Sequence, residues 1–353
     1  MAGFRRHLPV SARLTVFAAM ADRDPILVIL GPTASGKSAV ADAIARQTGA
    51  EILSVDSMQV YRGMDIGTAK PTPAERAMVR HHLIDLVEPN ELFTVARFVE
   101  LADAVIAGKM FDPIPLAPRS AGVTPAEPGA DGIGRNPHSP LIATGGTPLY
   151  YKALFEGLFN GPEADETIRQ RLALLPNEQL HAQLSTVDPT AALRIHLNDS
   201  RRMIRALEVH EITGKPISSF QTDWASPTLR HPAIFFGLAW DKEAINRRIN
   251  ARVKAMIAAG WVEETRGLID NYGELSMTAA EATGYRELIS HLRGQCSLAD
   301  AIEQIKISTR QLARRQMKWF RRFANVRWLP GDRPVEENAA EIMRSAIGAA
   351  EGT

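Results

Sequence analysis

The turn Gly31-Pro32-Thr33-Ala34-Ser35-Gly36-Lys37-Ser38 has the spacing GxxxxGK[ST], a pattern suited to holding phosphate. Backbone N–H groups of such a turn, and of the helix behind it, point at an anion, and Lys37 adds a full positive charge. The Ser38 hydroxyl can ligate the Mg²⁺ that accompanies a diphosphate. The pattern is specific for phosphate and silent about which phosphate. Asp56 closes the next apolar stretch. It can hold Mg²⁺ through water as the acid of a kinase does, act as general base toward an incoming nucleophile, or cap a turn. Thr147 follows Gly145-Gly146 and can meet a ligand or cap a helix. Arg202 and Arg205 follow Asn198-Asp199-Ser200, a good helix start, and share one helical face. They can clamp a diphosphate leaving group or face solvent.

The elements around these residues predict an α/β fold, a P-loop parallel sheet flanked by helices. Residues 26–30 form a continuous apolar run, the mark of a strand buried on both faces. The stretch 39–47 reads as a helix closed by Gly49, and 51–55 as a second strand. Residues 141–143 give a third strand, followed by a glycine turn and a helix over 149–158; 233–238 supply a later strand. Between 163 and 222 the pattern is helical, and it is mostly helical again from 242 to about 328. The predicted organisation is therefore a disordered extension over 1–23, a P-loop core over 24–162, a helical insertion over 163–231, core continuation with basic helices over 232–335, and a tail over 336–353.

Within the core, residues 113–140 hold 7 prolines and 4 glycines in 28 positions. That composition buries too little apolar surface to offset its ordering entropy, so a flexible loop is expected. No stretch approaches the roughly 20 apolar residues of a membrane helix. Arg5, Arg6 and Arg13, with no acid among the first 20 residues, can be read as an organellar leader, though a disordered start is the simpler reading. Cys296 is the only cysteine, which excludes an internal disulfide or a CxxC zinc module and suits a reducing cytoplasm.

The net charge is only +1, so a nucleic-acid site must come from local clustering. Residues 306–327 supply it, with Lys306, Arg310, Arg314, Arg315, Lys318, Arg321, Arg322 and Arg327 and no acid. Arg310, Arg314, Lys318 and Arg321 fall on one side of a helix, a footprint for a nucleic-acid backbone. Leu312, Trp319 and Phe323 fall on another, where core packing is the expectation for Trp319 and Phe323.

The block from Asp56-Ser57-Met58-Gln59 through Val60-Tyr61 to Gly67-Thr68-Ala69-Lys70-Pro71 resembles the one that follows the P-loop in tRNA dimethylallyltransferases, also called isopentenyl-diphosphate:tRNA transferases. Gly145-Gly146-Thr147, Asn198 through Val209, Gly284-Tyr285-Arg286 and Thr309 through Trp319 resemble further blocks of that family in the same order. The resemblance spans about 26–329. It implies attack by the N6 amine of the adenosine just 3′ of the tRNA anticodon on dimethylallyl diphosphate, with Asp56 as base and Thr147 and Arg169 at the reacting groups. It further implies that the tRNA anticodon stem-loop is gripped by Asp56, Ser57, Met58 and Gln59, by Arg201, Arg202, Met203, Ile204 and Arg205, by Gly284, Tyr285 and Arg286, and by Arg314, Arg315, Gln316, Lys318, Trp319 and Arg321. A bacterial-type cytoplasmic monomer is expected, since there are no cysteines for the zinc finger of eukaryotic relatives. The 113–140 insertion departs from the family pattern. Prenylation of a free adenine nucleotide, a small-molecule P-loop kinase and a non-catalytic RNA-binding protein are the alternative readings.

Overall fold

A computed structural model describes residues 25–108, 139–157, 161–220 and 229–350. The expected extension over 1–23 and nearly all of the 113–140 loop lie outside the described residues. The chain divides into two compact units, one of residues 1–155 and 231–353 and one of residues 156–230.

The first unit is built on a six-stranded parallel sheet, ordered β3-β2-β4-β1-β5-β6. The strands are β1 Ile26–Leu30, β2 Glu51–Ser54, β3 His81–His82, β4 Leu141–Thr144, β5 Ala233–Ala239 and β6 Arg327–Pro330. Central β1 shows why its sequence is apolar without alternation. Val28 and Leu30 pack into one core cluster with Phe98, Tyr151, Phe155 and Phe320, while Ile29 packs into a second with Val40, Ile44 and Ile342. A strand covered on both faces has no polar side to show.

The helix Lys37–Thr48 is capped at its end by Gly49 at φ 72, whose N–H bonds Ala45 O. The helix Leu298–Phe320 starts at Ser297, which accepts the Asp300 N–H, and carries the basic run. The residues expected as a C-terminal tail instead form most of the helix Val335–Ala350. Ala339 and Ile342 of that helix are buried beside the helix Lys37–Thr48, and this apolar spacing gives it a face to bury. Two strands escaped the sequence reading. β3 has two residues, and β6 is a short edge strand with an Arg and a Pro, too little alternation to read.

The described elements of the second unit are all helices, with a core of Leu172, Leu180, Leu184, Met203, Leu207 and Val209. Its helix Ser200–Thr213 starts at Asp199, whose side chain accepts the Arg202 N–H. No described helix is long and apolar enough to cross a membrane.

Candidate active site

Loops leave the C-terminal ends of β1, β2 and β4, the edge where parallel α/β sheets bind ligands. The P-loop follows β1, Asp56 follows β2, and Gly145-Gly146-Thr147 follows β4. They line one cavity of about 680 Å³, within the usual range for a small-ligand pocket. Its apolar wall includes Ile249, Val253, Met256, Trp261 and Leu312.

The P-loop is held from outside by its own carbonyls. Arg248 Nε donates to Ala34 O at 2.9 Å and Trp240 Nε1 donates to Ser35 O at 3.0 Å. Arg248 also lies over the Trp240 ring, 4.6 Å from its centroid. Lys37 is buried, and its Nζ is 3.3 Å from Pro32 O. Burial pushes the Lys37 ammonium down to about 8; the nearby Arg252 guanidinium pushes the same way and Asp56 opposes. The cradle is thus short of negative charge until an anion arrives. Ser38 is exposed at the start of the helix behind it.

Asp56 is fixed by backbone donors. Its Oδ1 accepts from Met58 N at 2.9 Å and Gln59 N at 3.4 Å, and its Oδ2 accepts from Gly146 N at 3.1 Å. Thr147 Oγ1 accepts from Ser57 N at 2.9 Å and lies 3.1 Å from Ser57 Oγ, so the turns after β2 and β4 are stitched together. The two glycines are required by proximity. A Cβ on Gly145 would sit 2.1 Å from Val55 O, and one on Gly146 would sit 2.9 Å from Asp56 Oδ2.

The facing wall is the loop 65–71. Glu264 accepts N–H bonds from Asp65 at 3.0 Å, Ile66 at 2.7 Å and Gly67 at 3.3 Å. Lys70, whose side chain is fully buried, reaches Tyr61 O, Asp65 and Asp85. Gln59 donates to Thr68 O and accepts from Ser54 Oγ, so its amide is committed to this wall.

Several sequence expectations need correction. Met203 is fully buried in the helical core, so its side chain packs inside the unit and not on its surface. Ile204 is partly buried against the same core. Tyr285 is 1% exposed and donates its hydroxyl to Glu264 at 2.6 Å, so it acts from inside the cavity wall. Gly284 is buried at φ 96 under Trp261, with no room for a Cβ. Gln316 is buried, bonded to Thr33 N and Gly146 O. Trp319 is not core: Phe320 takes the buried place, while Trp319 is half-buried with Arg322 lying 5.6 Å from its ring centroid. Lys306, counted in the basic run, is buried beside Glu303. Arg314, Arg315, Lys318 and Arg321 are exposed, as is Arg286, which pairs with Glu287 and Glu281.

The cavity lining comes from the sheet unit alone. Arg169, Arg201, Arg202 and Arg205 belong to the helical unit, where Arg169 and Arg205 both bind the buried Glu208. The sequence reading missed Arg252, a half-buried cation lining the cavity. Its only sequence signal was its place one turn beyond Arg248 on the helix Lys242–Ala258.

The chain matches the family described as IPP transferase over residues 59–113 and 131–323. It belongs to that family. Similar relatives include a tRNA dimethylallyltransferase of Pelotomaculum thermopropionicum, 41% identical over 333 residues, covering 92% of this chain and 98% of that protein. Among solved structures, the full-length tRNA isopentenylpyrophosphate transferase of Bacillus halodurans superposes with a TM-score of 0.64 at 33% identity, covering 94% of this chain and 99% of the other. A eukaryotic dimethylallyltransferase acting on tRNA superposes with a TM-score of 0.70 at 25% identity, covering 92% and 80%. Family membership thus agrees with the parallel-sheet architecture.

Proposed function

We propose that this chain is a tRNA dimethylallyltransferase, moving the dimethylallyl group of dimethylallyl diphosphate to N6 of the adenosine just 3′ of the anticodon. One observation carries the reading: an anion cradle, a backbone-fixed carboxylate and an apolar wall share a single cavity. A prenyl diphosphate needs the first and the last, and an attacking amine needs the carboxylate.

In this reading the N6 lone pair forms the new N–C bond while the allylic C–O bond breaks and its electron pair leaves on diphosphate. The aryl amine is a weak nucleophile, because its lone pair is delocalised into the ring. Asp56 takes the N6 proton as the bond forms. Charge grows on the leaving oxygens, so Lys37, Arg252 and the turn's N–H groups interact more strongly in the transition state than with bound substrate. The target adenine must leave its stack to reach Asp56. The exposed Ser38 hydroxyl fits a Mg²⁺ held mainly by diphosphate oxygens, the usual arrangement for this ion, and the metal would neutralise leaving-group charge. Thr147 and Arg169 are assigned to the reacting groups, and Arg202 and Arg205 to the diphosphate. Arg201, Arg286, Arg314, Arg315, Lys318, Trp319 and Arg321 are assigned to the anticodon stem-loop. A cytoplasmic monomer completes the proposal.

The test is to incubate the protein with Mg²⁺, dimethylallyl diphosphate and an anticodon stem-loop carrying the target adenine, then digest the RNA and weigh its nucleosides. N6-prenylated adenosine is expected. Product on AMP and none on RNA would select nucleotide prenylation, and ATP consumption with a phosphorylated product would select a kinase.

A further inference from the structure

The buried stripe of the helix Leu298–Phe320 includes Ile305, Ala313 and Phe320, and Gln316 lies on it at 3% exposure. A polar side chain in that place must use its hydrogen-bonding groups, because leaving them unmet in the interior is costly. Gln316 uses both ends. Its Oε1 accepts the N–H of Thr33, in the phosphate cradle, at 2.8 Å. Its Nε2 donates to Gly146 O, in the turn after β4, at 2.6 Å. The N–H of that same Gly146 is bonded to Asp56 Oδ2.

The bridge lies where the sheet stops helping. The ladder between β1 and β4 has its last pair at Ile29 and Thr144. Beyond it the cradle and the glycine turn leave adjacent strand ends. On the other side of β4 the backbone continues the stitching, with Val55 N bonded to Thr144 O and Thr147 N to Val55 O. On the cradle side, Gln316 makes the connection with its side chain.

We infer that Gln316 is a positioning residue that sets the cradle and the Asp56 carboxylate at a defined separation by bridging Thr33 and Gly146. This rests on the prenyl-transfer reading and extends it. The cradle holds the leaving group and Asp56 meets the nucleophile, so their spacing decides whether amine, allylic carbon and leaving oxygen line up. A misplacement of about 1 Å can cost about 100-fold in rate. Methionine fills similar volume with neither bond. Glutamate keeps an acceptor for Thr33 N–H but has no N–H for Gly146 O. Family resemblance would place Gln316 on the RNA, and that role predicts different numbers.

The experiment compares the full-length protein with its Gln316→Met and Gln316→Glu variants. It measures kcat and KM for dimethylallyl diphosphate and the anticodon stem-loop, RNA Kd by fluorescence anisotropy, and amide exchange at Thr33 and Gly146. For Gln316→Met and Gln316→Glu, kcat should fall roughly 10- to 100-fold, while RNA Kd stays within about twofold. Gly146 is left unchanged, because a Cβ there would meet Asp56 Oδ2 directly and would confound the bridge with the base. Thr33 exchange should accelerate in the methionine variant. Weakened RNA binding with kcat preserved would make Gln316 an RNA contact and overturn the inference. A wild-type protein that does not prenylate RNA would remove the functional reading; unchanged Thr33 exchange would then remove the bridge on its own evidence. Should the methionine variant fail to fold, the glutamate variant decides, since it keeps the shape and one bond.

Discussion

Arg169 lays its Nε and Nη2 along the two oxygens of Glu208, at 2.8 and 3.1 Å. The same carboxylate, fully buried, also takes Arg205 Nη1 at 2.6 Å and the Asp165 N–H at 2.7 Å. Four donors around one buried acid orient both guanidiniums from beneath. Removing the acid takes the shared buried acceptor from both guanidiniums, while Arg205 keeps Pro162 O.

Glu208→Ala should therefore destabilise the helical unit by about 1–3 kcal/mol, the cost of lost charge-assisted hydrogen bonds, since both arginines still reach solvent. Hydrogen exchange within residues 156–230 would report it, and unchanged protection would show the pair to be ornamental. Burial raises the Glu208 carboxyl, but its bonds to Arg169, Arg205 and the Asp165 N–H outweigh this and hold it below its ordinary value of 4.5. Its stabilising contribution is accordingly complete above that value and is lost as pH falls through the depressed one.

Lys37 predicts a pH dependence of the opposite kind. With its ammonium lowered to about 8, the free cradle loses its cation as pH rises through that value. Affinity for a non-reactive dimethylallyl diphosphate analogue, measured by calorimetry from acid to alkaline pH, should fall above about 8. Lys37→Arg should flatten that limb, because an arginine stays charged. In the absence of ligand, burying the charge costs stability below about 8, and the cost is relieved as pH rises toward 10.5.

Asp56→Ala should lower turnover by roughly 10²-fold or more while RNA affinity stays nearly intact. The carboxylate is held by three backbone N–H groups, so the fold should tolerate the change. Steady-state kinetics beside a binding isotherm separate the two, and full activity would end its assignment as base.

Arg314→Ala should weaken RNA binding and reduce the slope of log Kd against log salt by about 0.7–0.9, the signature of one lost phosphate contact. Arg314 is exposed on the outer face of the helix whose inner face holds Gln316. A slope identical to wild type would return it to the solvated surface.

The sequence alone determined which chemistry was possible. GxxxxGK[ST] after a strand can hardly do anything but hold phosphate, since its glycines and lysine act through local backbone geometry. The apolar run of β1, the Gly49 cap and the Asp199 helix start were legible for the same reason: each is a short-range rule. The blocks around Asp56 and Gly145 named the family because their order along the chain is itself information. Only the tertiary structure could decide which side chains act from outside and which from within. Gln316, Tyr285 and Met203 read as polar, aromatic or flexible contacts for RNA, yet each is buried: Gln316 because segments 283 residues apart meet at the sheet edge, Tyr285 in the cavity wall, and Met203 inside the helical unit's own core. Phe320 takes the buried place expected for Trp319, since one residue turns a helix by about 100° and the sequence does not say which side the sheet lies on. Arg252 was invisible for the same reason. Its chemistry comes from facing Lys37 and Asp56 across the cavity, a neighbourhood that exists only once β1, β2 and β4 lie side by side.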